Sequence, residues 1–171
     1  MKITVGDNHL ALADLIALGS LDTQIELTAA AVKRIAESRK IADEHLDGAS
    51  AVYGLNVGLG ANVSMKLERG STADFERSVI EGRMIGIGEP LPDSVSRRAL
   101  GIRIANLCNG NSAVSPHVVE QLVEMYNKGL TPVVASLGSV GSSDLGQCAQ
   151  LCAAALGIGD VSFRGTRVSA F

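Results

Sequence analysis

The sequence predicts a mainly α fold in which helices are joined by short strands and glycine-rich loops. Apolar residues make up 46% of the 171 residues, whereas aromatic residues make up only 3% and tryptophan is absent. A core built from alanine, leucine, valine and isoleucine favours close-packed helices over a β-sandwich. The length suffices to bury a core, and no linker, low-complexity tract or internal repeat interrupts it, so we expect one domain over residues 1–171.

The N-terminal part is predicted to contain a short strand and two helices. Residues 3–5 suit a strand, and residues 10–18 suit a short helix that ends at Gly19. From residue 25 to 46, apolar residues recur at helical spacing with charged residues between them. This pattern predicts one long amphipathic helix with a solvated face, ended by Gly48.

The middle of the chain alternates between irregular segments and helices. Residues 52–60 contain three glycines around a lone Tyr53, which indicates a loop with close backbone contacts. Ser71 and Asp74 suit a capping box for a helix through residue 85. A break rich in glycine and proline follows, and another helix is predicted from residue 93 to 108.

One more helix is delimited by its end signals. Ser115 suits the N-cap, Pro116 the first helical position, and Gly129 the position beyond the end. Residues 131–135 then lead to the central loop, and residues 161–169 alternate as expected for a hairpin that turns at 164–166.

The stretch 137–156 is the centre of the functional interpretation. Its first half is a Gly/Ser loop, and its second half, from Leu145, has the composition of a helix that is apolar on nearly all sides. Such a loop lets backbone amides approach a ligand, but a phosphate-binding Walker A loop needs a lysine that is missing here. An ordinary tight connection into a core helix is the alternative.

Charge and cysteine content exclude several classes of protein. The net charge of −3 without a basic stripe argues against nucleic acid as a partner. No apolar run approaches the roughly 20 residues of a membrane helix. No signal peptide opens the chain, and an odd number of cysteines, three, indicates reduced thiols in a cytoplasm. Cys148 and Cys152 are interpreted as small core residues, because no partner set completes a metal site.

Three segments together resemble the histidine and phenylalanine ammonia-lyases. YGLNVGLG at residues 53–60 resembles the family's YGxNTGFG segment. ERSVIEGRMIGIGEPL at residues 76–91 resembles its QxSLxxSHxxGxGxPL helix, and GSVGSSDL at residues 138–145 resembles its GSVGASGDL signature. Their order and spacing also agree, so the resemblance covers essentially the whole chain and implies the N-terminal portion of that fold.

The resemblance also implies a chemistry. In that family an Ala-Ser-Gly triad cyclises into a methylidene-imidazolone, an electrophile that helps ammonia to leave the substrate. Tyr53 matches the family's general base. The resemblance places Ser142, Ser143 and Asp144 at the triad. It places three further residues in contact with a small-molecule substrate: Asn56, Gly60 and Arg83.

Two departures from the family pattern affect this chemistry. The triad region is one residue short: either Asp144 occupies the glycine position, or the third triad residue is missing. A Cβ at the third position restricts the backbone angles of the attacking amide, so we expect ring formation to be less favoured here. Arg83 replaces a histidine, which suits an anionic group, although a solvated charge on a helix face is an equal alternative.

Members of that family are much longer than this chain, and their remaining part holds the long central helices. We therefore expect an incomplete helical bundle that a second polypeptide completes, in a hetero-oligomer with the tetrameric symmetry of the family. Two function classes stay open. One is elimination on a small amino acid with Tyr53 as base. The other is a remodelled member without the prosthetic ring, which performs dehydration or cyclisation or serves only as a structural subunit.

Overall fold

A computed structural model describes residues 1–7, 9–46, 48, 50–67 and 72–170. Its α-helices are α1 (Leu12–Ala17), α2 (Ala29–Leu46), α3 (Thr72–Glu81), α4 (Asp93–Leu107), α5 (Pro116–Asn127) and α6 (Leu145–Ala153). Its strands are β1 (Lys2–Val5), β2 (Gln24–Leu27), β3 (Ile87–Pro90), β4 (Leu130–Pro132), β5 (Ala135–Leu137), β6 (Asp160–Phe163) and β7 (Thr166–Ser169). The mainly α prediction is confirmed, and among these residues no helix is long and apolar enough to cross a membrane.

The strands form three small sheets that connect the helices. β1 pairs with β2 in parallel, β3 pairs with β5 antiparallel, and β4, β6 and β7 form an antiparallel sheet in the order β4-β6-β7. The predicted hairpin is β6–β7, whose turn contains Arg164 and Gly165, both with positive φ. The predicted cap of α5 is also present, since the Ser115 side chain accepts from the Val118 amide at 3.4 Å.

The prediction of one helix from residue 25 to 46 is wrong at its start. Residues Gln24–Leu27 form β2, and α2 begins only at Ala29. Ile25 is 2% exposed within an alternating polar and apolar segment, which is the period of a strand. The Asn127 side chain fixes this strand, because its amide accepts from the Ile25 N–H at 2.8 Å and donates to the Ile25 carbonyl at 2.9 Å.

Two other predicted boundaries also change. α3 ends at Glu81 rather than at residue 85, and the predicted break after it contains β3. α6 ends at Ala153 and continues as a short 3-10 turn, Ala154–Leu156. The predicted capping box of α3 includes Ser71, which lies outside the described residues.

The core lies where α4 and α5 pack against α1, α2 and the β1–β2 pair. Its members are almost fully buried and include Ile35, Leu100, Ile104, Val119 and Leu122. Gly101 lets α1 approach α4 closely: a Cβ there would lie 2.9 Å from the Leu18 side chain. A larger residue at this position would therefore push the two helices apart.

A buried arginine joins the ends of three elements in this core. Arg97 on α4 is 1% exposed and donates to the carbonyls of Ser20, Thr23 and Tyr126, each at 2.8 Å. Its guanidinium lies 3.8 Å from the centroid of the Tyr126 ring, and the Tyr126 hydroxyl donates to the Leu18 carbonyl at 2.7 Å. Burial lowers the pKa of Arg97 and raises the pKa of Tyr126, and the contact between them opposes both shifts.

Candidate functional site

Tyr53 lies on the glycine-rich loop that follows α2, and its side chain is 63% exposed. Its phenol oxygen accepts a hydrogen bond from the Gly60 amide at 3.1 Å. Gly60 has a φ of +59°, in the left-handed region, and opens a 3-10 turn that ends at Asn62. Gly58 lies against that turn so closely that a Cβ would be 2.4 Å from the Asn62 carbonyl oxygen. The two glycines therefore allow the loop to fold back and place a backbone donor on the phenol.

The buried side chain of Asn56 holds this loop in place through hydrogen bonds to the backbone. Its side chain is 4% exposed, and its amide oxygen accepts from the Val52 N–H at 2.8 Å. The amide nitrogen donates to the carbonyls of His45 and Ser50, both at 3.1 Å. Both amide protons are thus used by the chain's own backbone, and Asn56 ties the end of α2 to the loop that carries Tyr53. Its contact with substrate stays a prediction.

Tyr53 opens onto a large cleft with a volume of about 1410 Å³. The cleft is bordered by the C-terminal half of α2, by α3, by the start of α5 and by the end of α6. Arg103 and Cys152 also line it, and burial raises the pKa of the Cys152 thiol, which Arg103 opposes. Of the predicted site residues, Tyr53 alone is among those that line this cleft.

Arg83 follows the end of α3 and lines a smaller cavity of about 240 Å³. Its guanidinium donates to the Val79 carbonyl at 3.1 Å, so the head group is held near its own helix. Leu59, Phe75 and Val79 line both this cavity and the large cleft. Tyr53 and Arg83 therefore face neighbouring spaces that share one apolar wall.

The Gly/Ser loop packs on the segment that follows Arg83. A Cβ at Gly138 would lie 2.9 Å from the Gly86 Cα, and one at Gly146 would lie 3.4 Å from the Arg83 carbonyl oxygen. The approach at Gly138 leaves no room for a Cβ, whereas the distance at Gly146 is an ordinary contact. The loop therefore sits beside the Arg83 end of α3, although Ser142, Ser143 and Asp144 are not among the residues that line either cavity.

The three triad residues are exposed, and two of them have strained backbones. Ser143 has a φ of 54° and Asp144 a φ of 49°. This left-handed conformation costs a residue with a Cβ about 1 kcal/mol or more, whereas glycine adopts it freely. Asp144 also precedes α6 as its N-cap, and its carbonyl accepts from the Cys148 amide at 3.0 Å.

This geometry tests whether the triad suits the methylidene-imidazolone of the resembled family. The Asp144 backbone has the conformation expected of a glycine, so the path of the chain is suitable. The side chain at this position is not, because ring closure brings the third residue's amide nitrogen onto the first residue's carbonyl carbon and a Cβ crowds that approach. Ser142, Ser143 and Asp144 do not fit the ring as Ala-Ser-Gly does.

The three matching segments predict Tyr53, Arg83 and the Gly/Ser loop as parts of the site. No sequence signal predicted that Arg103 and Cys152 line the cleft. Both lie on helices, α4 and α6, at positions that read as ordinary helix-face and core residues. Their position in the cleft that Tyr53 also lines depends on how the helices pack, so no local signal in the sequence predicts it.

Comparison with known proteins agrees with the resemblance of the three segments. The family described as aromatic amino acid lyase matches residues 10–171. The histidine ammonia-lyase of Deinococcus radiodurans is 38% identical over 160 residues, which are 93% of this chain and 30% of that relative. The structure of histidine ammonia-lyase from Trypanosoma cruzi has a TM-score of 0.89 and 26% identity, and covers 99% of this chain and 33% of that chain.

A third similar protein is the ergothioneine-degrading ergothionase of Treponema denticola. It has a TM-score of 0.94 and covers 99% of this chain and 34% of its own, with 23% identity, so it shows the fold alone. The chain matches the N-terminal part of these relatives and spans between 30% and 34% of their length.

Proposed function

Since the chain belongs to the aromatic amino acid lyase family, we propose that it is a subunit of an ammonia-lyase-like enzyme acting on a small amino acid or a related anionic substrate. The reaction is an elimination: a base removes a proton, a carbon–carbon double bond forms, and ammonia leaves as the carbon–nitrogen bond breaks. The single observation that carries this proposal is the exposed phenol of Tyr53, held by the Gly60 amide at the edge of a large cleft.

We assign the roles as follows. Tyr53 is the general base, and the Gly60 amide fixes the direction of its oxygen. Arg83 binds an anionic group of the substrate, because a guanidinium pairs with a carboxylate through parallel hydrogen bonds. Asn56 and the backbone that ends at Gly60 shape the substrate side of the loop. We also assign Ser142, Ser143 and Asp144 to the site, because their loop lies beside the Arg83 end of α3, although they line neither cavity.

A second candidate is a remodelled family member that lacks the ring. The specific observation in its favour is the backbone of Asp144, whose φ of 49° favours glycine but which carries a side chain. Such an enzyme would catalyse dehydration or cyclisation from Tyr53 and Arg83, or would serve as a structural subunit.

Intact mass tests whether the prosthetic ring forms in this chain. We expect the purified chain to keep the full mass of its sequence, because Asp144 disfavours ring closure. Insertion of one glycine between Ser143 and Asp144 restores the Ser-Ser-Gly-Asp order, and we expect this variant to lose two water molecules in the assembled protein. The control is the same insertion with Ser143→Ala, which cannot eliminate the side-chain water. A wild-type chain already lighter by two waters would show that the ring forms despite Asp144.

We also propose that the enzyme is split between two polypeptides. The chain spans about a third of its relatives, and large apolar side chains on α6 and the turn after it are partly exposed, with Leu145 at 41% and Leu156 at 43%. A second polypeptide that corresponds to the remaining helical bundle would cover them, in a hetero-oligomer with tetrameric symmetry. All three cysteines are free thiols, which supports a reducing compartment such as the cytoplasm.

The oligomeric state of the isolated chain tests this split. We expect it to self-associate or precipitate at micromolar concentration, because uncovered apolar surface is unfavourable in water. The measurement is sedimentation velocity over a range of protein concentrations. A stable, soluble monomer throughout that range would contradict the split-enzyme proposal.

A further inference from the structure

The side chain of Gln150 joins α6 to the strand that enters the Gly/Ser loop. Its amide oxygen accepts a hydrogen bond at 3.0 Å from the N–H of Ala135, the first residue of β5. The register partner of Ala135 in β3 is Pro90, and a proline donates no backbone hydrogen bond. The pairing of β3 with β5 is therefore weak at this end, and the bond to Gln150 stabilises it from the side of the helix.

The same amide packs against Gly86, the residue just before β3. A Cβ at Gly86 would lie 2.6 Å from the Gln150 amide oxygen, 2.9 Å from its amide nitrogen and 2.8 Å from the Ala135 Cβ. Gly86 also contacts the Gly/Ser loop, since a Cβ at Gly138 would lie 2.9 Å from the Gly86 Cα. Neither glycine leaves room for a side chain, so the Gln150 amide, the segment at Gly86 and the loop at Gly138 are in close contact.

This contact lies between two parts of the candidate site. Gly86 follows Arg83 by three residues, and Gly138 precedes Ser142 by four. Among the described residues β3 and β5 pair only with each other, and a two-stranded ribbon alone is marginally stable in water. A side chain from α6 that bonds to β5 and packs on Gly86 therefore fixes how far the Arg83 segment lies from the Gly/Ser loop.

We infer that Gln150 is a positioning residue of the candidate site. It is not among the residues that line either cavity, so it acts through Ala135 and Gly86 and not by contact with substrate. The inference rests on the proposed function, which assigns Arg83 and the Gly/Ser loop to one site. A displacement of about 1 Å within such a site can lower the rate by about 10²-fold, so the spacing that Gln150 fixes matters for turnover.

The experiment measures amide hydrogen exchange of the full chain by mass spectrometry, at protein concentrations below those at which it self-associates. Gln150→Met keeps the length of the side chain and removes the acceptor, whereas Gln150→Glu keeps an oxygen that can accept from Ala135. The matched control is Gln147→Met, one turn earlier on α6, because the Gln147 amide oxygen is buried without a hydrogen-bond partner among the described residues. The second readout is ammonia release by the assembled enzyme, with kcat and KM determined separately.

We expect Gln150→Met to speed exchange in residues 86–91 and 134–138 by about tenfold or more, because the Ala135 amide loses its acceptor. Exchange in α4 and α5 should not change, and kcat should fall by about tenfold or more with a smaller change in KM. Gln150→Glu should restore both readouts, and Gln147→Met should match the wild type. Gly86→Ala should reproduce the effect of Gln150→Met with Gln150 intact, because its Cβ displaces the Gln150 amide.

Wild-type exchange of the two segments in Gln150→Met would overturn the inference. Faster exchange across the whole chain would also overturn it, since that is the effect of a residue that only stabilises the fold. Faster local exchange with unchanged kcat would show that the spacing does not serve the reaction. An inactive wild-type enzyme would instead contradict the proposed function, and the exchange profile would still decide whether Gln150 holds the two segments together.

Discussion

Replacement of Tyr53 by phenylalanine should lower turnover of the assembled enzyme by about 10²–10⁴-fold, the usual contribution of a positioned general base. The side chain is 63% exposed, and its phenol oxygen accepts a hydrogen bond from the Gly60 amide. Loss of the hydroxyl leaves that amide to water, so stability should change little. The measurement is ammonia release with the second polypeptide present, with kcat and KM determined separately.

Tyr126→Phe is the matched control, because it removes the same hydroxyl from the other tyrosine of the chain. That hydroxyl is buried and donates to the Leu18 carbonyl at 2.7 Å. Its loss should cost about 1 to 3 kcal/mol of unfolding free energy and leave kcat unchanged. If Tyr53→Phe retains wild-type turnover in the same assay, Tyr53 is not the base and the elimination proposal loses its main support.

Replacement of Arg97 by methionine should destabilise the chain by about 3 kcal/mol or more. The substitution removes three hydrogen bonds from a charged donor to the carbonyls of Ser20, Thr23 and Tyr126, and each such bond contributes about 1.5 to 3 kcal/mol. It also removes the cation from the Tyr126 ring. Chemical denaturation followed by far-ultraviolet circular dichroism measures the loss.

Two variants test the reason for that loss. Arg97→Lys keeps the charge but cannot reach three separate carbonyls with one ammonium group, so most of the loss should remain. Arg39→Met removes a partly exposed arginine that pairs with Asp43 on α2 at 2.7 Å, and it should cost about 0.5 kcal/mol or less. Equal effects of Arg97→Met and Arg39→Met would show that the buried hydrogen bonds do not hold this core together.

Local patterns in the sequence predicted much of the fold. The end signals Ser115 and Pro116 set α5 because they act on the first turn of their own helix. Alternating residues on both sides of a turn likewise predicted the β6–β7 hairpin. β2 was missed because its four residues run into a helix with only Thr28 between them, and what selects a strand there is pairing with β1 and the Asn127 side chain. Those partners are distant in the chain, so no local pattern reports them.

The sequence by itself determined the family, the three matching segments and the candidate residues Tyr53, Arg83 and Ser143, because motif order and spacing are properties of the chain alone. Only the tertiary structure decided that the Asn56 side chain forms hydrogen bonds with backbone groups. Only it decided that Arg97 donates to the carbonyls of residues 20, 23 and 126. Only it paired Ile87 with Leu137 and placed Ile85 beside the start of α6. The physical reason is that a side chain's partners are chosen by packing between segments far apart in sequence, whereas spacing fixes only which residues are near one another along the chain.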